Sequence, residues 1–192
     1  MLSNIKIMPR LFIVFAVFTI SLIVLGTISI IQIQAVDNAA MEIEEHAAHL
    51  SSVAIAHNLM DQIALAEKNH ILATDDAAKI TLEQEINQAK AAVNPYIDEF
   101  VTTSDEGLEQ EITKQISTAW QDYMLINEQV LTLSKNNQPA EAQTLSAIEA
   151  TQAFMLVESA MDQLRESNIN TATDTALKAD DIVQQAIVYT LA

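Results

Sequence analysis

Apolar positions follow two patterns along this chain: an unbroken run near the start, and a helical spacing from there onward. Residues 11–31 carry no charged side chain. At about 1.5 Å per residue, a helix of this length covers roughly 31 Å, which is enough to cross the hydrocarbon core of a membrane. A secretory signal peptide is the alternative, but its apolar core usually runs only ~7–15 residues. The run therefore predicts an uncleaved transmembrane helix over residues 11–31.

Beyond this span, apolar side chains recur every three or four residues in four segments separated by polar turns. The first segment has a heptad spacing and ends at Thr74-Asp75-Asp76. Further apolar stripes cover residues 82–100 and 108–133, and a last one runs from Pro139 onward. We predict an all-α protein whose residues 32–181 form an antiparallel up-down-up-down four-helix bundle, with long first and last helices continuous with transmembrane segments.

A second uncharged segment lies at the end of the chain, because no charged residue follows Asp181. Residues 182–192 are too few to cross a bilayer. They are either the tail of a bundle helix or the start of a second, truncated transmembrane helix. The second interpretation is favoured, because an antiparallel bundle returns its last helix to the side from which the first one rose.

The distribution of charge predicts the orientation of the chain and excludes one class of partner. Lys6 and Arg10 are the only charges before Asp37, and all 26 acidic residues follow. The positive-inside rule places residues 1–10 in the cytoplasm and the bundle outside it, which is the periplasm in a bacterium with an outer membrane. Such an acidic surface repels nucleic acid, so no nucleic-acid partner is expected.

All four histidines lie in the first helix, and their role is open between three interpretations. Glu42, His46 and His49 are spaced to share one face, where they could bind a transition metal. His46 also lies on the heptad seam, where a polar side chain can set helix pairing. Histidine changes charge near neutral pH, so pH sensing is the third interpretation.

The candidates for catalysis are few. Glu67 and His70 form a Glu-x-x-His unit of the kind used by di-iron bundles, but such sites need two units and two more carboxylates. The chain has no cysteine, no glycine-rich phosphate loop and no recognisable catalytic triad. We therefore predict that the protein is not an enzyme and takes no cofactor.

Several local features resemble the four-helix-bundle ligand-binding domain of methyl-accepting chemotaxis proteins. They are Trp120-x-x-Tyr123, Asn136-Asn137, Ala140-Glu141-Ala142, Phe154, and Asn168 followed by alanines. The resemblance covers the whole chain. It implies the sensing domain of a bacterial inner-membrane chemoreceptor, a homodimer that passes a small displacement of its fourth helix across the membrane. Similar bundles serve histidine kinases and diguanylate cyclases, and a passive membrane-tethered spacer is the remaining alternative.

The resemblance also implies where a ligand binds. In aspartate-type members, arginines near the far end of the first helix bind the ligand's carboxylates, but residues 61–73 contain no arginine here. Bidentate arginine contacts are what make carboxylate binding strong. We therefore expect a small neutral or cationic ligand, or a periplasmic binding protein, rather than a dicarboxylate. Trp120 and Tyr123 are interpreted as packing residues, with ligand stacking the alternative. The candidate ligand-binding residues are Lys68, Asn69, His70, Glu141, Gln143 and Thr144.

Overall fold

The computed structural model describes residues 7–104 and 107–191, and no strand occurs in these two ranges. The elements are α1 (Ile7–Leu72), α2 (Asp76–Thr103), α3 (Leu108–Lys135), α4 (Pro139–Leu145), a π-helical turn (Ser146–Ala150) and α5 (Thr151–Leu191). The prediction of an all-α protein is confirmed. Residues 1–6 of the predicted cytoplasmic segment and residue 192 of the predicted second span lie outside the described residues.

The chain forms two compact units, residues 1–45 with 172–192, and residues 46–171. In the first unit, the apolar stretch of α1 begins at Leu11 and exposes most of its large side chains. Its most apolar window has a mean hydropathy of 2.8, and α1 is the one helix in the described ranges long and apolar enough to cross a membrane. The hydroxyls of Thr19 and Thr27 donate to carbonyls one turn earlier, at 2.9 Å, so neither requires water.

In the second unit, hydrogen bonds between helices fix the helix directions. We call α4, the π-helical turn and α5 together the fourth bundle helix. Later positions in α1 pair with earlier positions in α2 and in the fourth bundle helix, so α1 is antiparallel to both; with α3 the order is the same, so the two are parallel. The pairs are Ser52–Glu99, His70–Glu83, His57–Glu158, Glu67–Ser146, Glu67–Asn127 and His70–Ser134. This is the up-down-up-down order predicted from the apolar spacing.

Short polar turns end the helices where the sequence predicts. Asp75 is the N-cap of α2, and its carboxylate accepts hydrogen bonds from the backbone amides of Ala77 and Ala78, both at 3.3 Å. Asn137 adopts a φ of 57° between α3 and α4, a left-handed conformation that asparagine tolerates better than most residues. Pro139 then opens α4, where its missing amide hydrogen costs nothing.

The core of the second unit is built from the apolar stripes. Every bundle helix contributes a side chain with no exposed surface; these are Ile63, Val93, Ile116, Val130 and Val157. Burying such a side chain stabilises the fold by about 1.5–3 kcal/mol. In α1, the heptad positions Ala39, His46, Val53 and Met60 are buried, whereas Leu50, three residues before Val53, is only half-buried. The apolar core is interrupted by polar side chains near the end where α1 and α3 terminate.

Candidate functional site

Glu67 is a carboxylate in the interior of the bundle. It lies one helical turn after Ile63 on the inward face of α1 and is 2% exposed. Asn127 Nδ2 donates to its Oε2, and Ser146 Oγ donates to its Oε1, both at 2.6 Å. Both donors are neutral, and no Lys, Arg or His side chain of the described ranges lies within ion-pair distance. The negative charge is therefore held by hydrogen bonds without a counter-ion.

A cavity of about 200 Å³ adjoins Glu67. It opens between α1, α3 and the fourth bundle helix, and Glu67, Asp61 and Lys68 are its charged lining residues. The other lining residues are Ala64, Leu65, Tyr123, Ser146, Ala150, Thr151 and Phe154. The first and last residues of the π-helical turn, Ser146 and Ala150, both line the cavity. Single π-helical turns are frequent at functional sites, because the wider turn re-aims the side chains around it.

Tyr123 brings an unused polar group to this cavity. Its side chain is 1% exposed, and its hydroxyl has no hydrogen-bond partner among the described residues. Its ring lies between those of Trp120 and Phe154, with centroids 6.0 and 5.2 Å away. Burial raises the pKa of Tyr123, and the negative charges of Glu67 and Asp61 raise it further. The phenol therefore stays protonated beside a cavity that two carboxylates, Glu67 and Asp61, also line.

His70, three residues after Glu67, is the buried member of a second polar group that we call the His70 cluster: His70, Ser134, Glu83 and Lys135. Ser134 Oγ lies 3.0 Å from His70 Nδ1 and donates to the His70 carbonyl, also at 3.0 Å. His70 Nε2 lies 3.1 Å from Glu83 Oε1, which accepts. Each ring nitrogen of His70 therefore has a hydrogen-bond partner inside the protein.

Glu83 contacts both His70 and Lys135 in the His70 cluster. Burial alone would raise its pKa, but the hydrogen bonds and charges of Lys135 and His70 outweigh this and hold the pKa below its ordinary value. Lys135 Nζ lies 2.9 Å from Glu83 Oε2. Each carboxylate oxygen of Glu83 thus has a partner in the His70 cluster.

The six predicted ligand-binding residues lie in different surroundings. Lys68 lines the Glu67 cavity, Asn69 lines a separate groove between α1 and α2, and His70 is fully buried in its own cluster. The other three are exposed on α4, where the Thr144 hydroxyl donates to the Ala140 carbonyl; they are Glu141, Gln143 and Thr144. Their role in ligand binding stays a prediction.

The predicted metal ligands have other partners. Glu42 accepts a hydrogen bond from Thr175, and His46 Nδ1 lies 2.9 Å from Asn168 Oδ1. The His46 and His49 rings meet edge-on, with centroids 6.4 Å apart. A different group brings three ligand atoms within 4.8 Å of one another in the described residues: His57, Asp61 and Glu158. It lies in a solvent-accessible position, with side chains of His57 and Glu158 that are 44% and 39% exposed.

Sequence reasoning did not identify Glu67, Asn127 or Ser146 as a site. Asn127 and Ser146 lie 60 and 79 positions after Glu67, and no local spacing connects residues so far apart. One signal was present in the sequence, because the Glu-x-x-His unit places Glu67 on the same inward face as His70. The sequence therefore indicated an inward-facing carboxylate at Glu67 in a stretch, residues 61–73, that contains no arginine.

Comparison with known proteins adds two findings. A family model described as a four-helix-bundle sensory module for signal transduction matches residues 4–183. A protein of Bacillus subtilis (strain 168) named as a sensory transducer, YvaQ, is 23% identical over 130 residues. That alignment covers 68% of this chain and 23% of YvaQ, so the chain spans about a quarter of the length of this relative.

Proposed function

Because this chain belongs to the family of four-helix-bundle sensory modules for signal transduction, we propose that it is the extracytoplasmic ligand-sensing domain of a bacterial transmembrane chemoreceptor. The observation that carries the proposal is the Glu67 cavity, which combines a buried charge, an unused hydroxyl and a π-helical turn. A passive spacer would have no use for such a cavity. The module senses a small ligand and performs no catalysis.

The first helix supports the proposed location of the domain. α1 contains an apolar stretch long enough to cross a membrane, and Lys6 and Arg10 precede it. The positive-inside rule favours a cytoplasmic N-terminus in the inner membrane and a bundle on the opposite side. A second membrane segment beginning at residue 182 would bring whatever follows back to the cytoplasm, where a receptor has its output.

The cavity also suggests how binding becomes a signal. Its walls belong to α1 and α3 on one side and to Ser146, Ala150 and Thr151 of the fourth bundle helix on the other. A ligand that binds one position of this helix better than another shifts the equilibrium between them. Displacements of ~1–2 Å are within the known range of such switches. α5 continues unbroken from Thr151 to Leu191, so it can carry a displacement along its length. We expect the chain to form a homodimer, as the resemblance to methyl-accepting chemotaxis proteins implies.

Orientation is tested by inserting alkaline phosphatase into the turn at Asn137, which joins α3 to α4. We expect an active enzyme, because alkaline phosphatase folds only outside the cytoplasm. The same insertion replaced by a cytoplasmic reporter is the control and is expected to be inactive. Active cytoplasmic reporter at Asn137 would contradict the proposed location.

Signalling is tested by joining residues 1–181 to the second transmembrane helix and the cytoplasmic part of a characterised chemoreceptor, in cells lacking their own receptors. Compounds that bind the purified chain are expected to change kinase output, and Glu67→Gln is expected to abolish that change. Glu85→Gln, an exposed carboxylate in the groove between α1 and α2, is the matched control. A chimera whose output ignores every compound that binds the chain would contradict the sensory role.

A further inference from the structure

We propose that the Glu67 cavity binds the protonated amino group of a small organic amine, with Glu67 as the counter-ion. The proposal rests on the proposed function only for the sensory purpose of the cavity. Binding itself follows from the chemistry of the cavity and can be measured without any signalling output.

The first argument is the charge of Glu67. A carboxylate has about four lone-pair sites, and Asn127 and Ser146 use two of them. A buried charge is costly unless it is paired with an opposite charge. Because both donors to Glu67 are neutral, the open lone pairs are best used by a cation that enters from the cavity.

The second argument is the size and lining of the cavity. Its volume of about 200 Å³ far exceeds the roughly 10–15 Å³ that one water needs. It is smaller than the roughly 300–1,000 Å³ of pockets for drug-sized ligands, so the occupant is small. Ala64, Leu65, Ala150 and Phe154 give it apolar walls that suit a carbon stem. Hard metal ions prefer six or more oxygen ligands, which this lining does not supply.

The third argument is Tyr123. Its hydroxyl is buried, lacks a partner among the described residues and belongs to a lining side chain. An ammonium group has three hydrogens to donate, so it can bond to Glu67 and to the Tyr123 oxygen together. The rings of Tyr123 and Phe154 can also attract a cation through their faces. One occupant thereby satisfies the buried carboxylate and the unused hydroxyl.

The charges at the mouth of the cavity oppose each other. Asp61 and Lys68 are both exposed lining residues, so water screens them more than it screens Glu67. Because Asp61 and Lys68 carry opposite charges, the remaining charge of the lining is that of buried Glu67. A carboxylate on the ligand would find only Lys68, whereas an amino group finds Glu67, Tyr123 and Asp61. We therefore expect simple amines to bind better than zwitterionic amino acids.

Binding is tested by calorimetry on the full 192-residue chain in detergent. The probes are n-butylamine and ethanolamine, with n-butanol, butyrate, alanine and calcium chloride as neutral, anionic, zwitterionic and metal controls. Glu67→Gln is expected to weaken amine binding by roughly 30-fold or more, because it removes a buried charge partner. Tyr123→Phe is expected to weaken it by roughly 2–10-fold, as for one neutral hydrogen bond. Glu85→Gln, outside the cavity, is expected to change nothing.

The outcomes separate this proposal from the proposed function. Amine binding that depends on Glu67 supports the proposal even if the receptor chimera gives no output. Absence of amine binding to the wild-type chain, equal binding to Glu67→Gln, or tighter binding of butyrate, alanine or calcium would overturn it. If Glu67→Gln fails to fold, Asp61→Asn and Tyr123→Phe provide the same test on the wild-type carboxylate, and amine affinity unchanged in both would overturn the proposal.

Discussion

Glu67 and His70 lie three residues apart on α1 and both are buried, yet their surroundings differ completely. Both ring nitrogens of His70 have hydrogen-bond partners, and one of these partners, Glu83, also contacts Lys135. Glu67 has only the neutral donors Asn127 and Ser146, beside a cavity. A buried polar side chain with all its partners inside the protein is part of the fold. A buried charge without a counter-ion retains the capacity to bind one from outside.

The largest test of this comparison is His70→Ala. It should destabilise the full chain by about 2–5 kcal/mol, because it leaves a cavity at a fully buried position and removes the side-chain hydrogen bonds to Ser134 and Glu83. Urea denaturation in detergent, followed by far-ultraviolet circular dichroism, measures the loss. His49→Ala is the control, since His49 is half-buried on the same helix; its cost should stay below about 1 kcal/mol. Equal losses of unfolding free energy in the two variants would show that the buried position and hydrogen bonds of His70 add nothing to stability.

A second test uses pH to show whether the charged form of Glu83 in the His70 cluster stabilises the fold. Because the folded-state pKa of Glu83 lies below its ordinary value of 4.5, the stabilisation is complete above that value and is lost as pH falls through the lowered pKa. Glu83→Gln should therefore cost about 1.5–3 kcal/mol near neutral pH and little in strong acid. Exposed Glu85→Gln should cost little at any pH. A cost for Glu83→Gln that is the same at neutral and strongly acidic pH would contradict the charged pairing.

The smallest test concerns the Glu67 side of the comparison and has the opposite sign. Tyr123→Phe should stabilise the unliganded chain by about 1 kcal/mol, because it removes a buried hydroxyl that has no partner among the described residues. Half-buried Tyr96→Phe is the matched control, with an expected change within about 0.5 kcal/mol. The melting temperatures of the two variants measure the difference. Clear destabilisation by Tyr123→Phe would mean that the hydroxyl is needed in the unliganded fold.

The sequence predicted the helices and their order because both depend on local information. Apolar side chains three and four residues apart define one face of a helix, and Asp75 and Pro139 mark helix starts by their own chemistry. Short turns then leave an antiparallel arrangement as the only compact one. The family resemblance agreed with this result, and the family match over residues 4–183 confirmed it.

The site was not predictable in the same way. The Glu67 carboxylate meets Asn127 and Ser146 only after three helices pack, and the spacing within each helix does not specify which side chains face one another across the core. The resemblance directed attention to the end of the first helix, and Lys68 and His70 do lie beside Glu67 in the chain. It gave no indication that Glu67 itself is buried without a counter-ion, because that depends on the absence of cations from two other helices.

The π-helical turn at Ser146–Ala150 has a consequence for comparing this chain with other proteins. A π turn contains one more residue than an α turn, so it is equivalent to a single-residue insertion in an otherwise regular helix. Relatives with a continuous fourth helix should align with this chain only after a one-residue gap is opened between Leu145 and Thr151. Without the gap, every later position is displaced by one residue, and buried positions such as Val157 and Leu164 are matched to surface positions. The presence or absence of that gap is a simple marker for sorting relatives into those that share the cavity and those that do not.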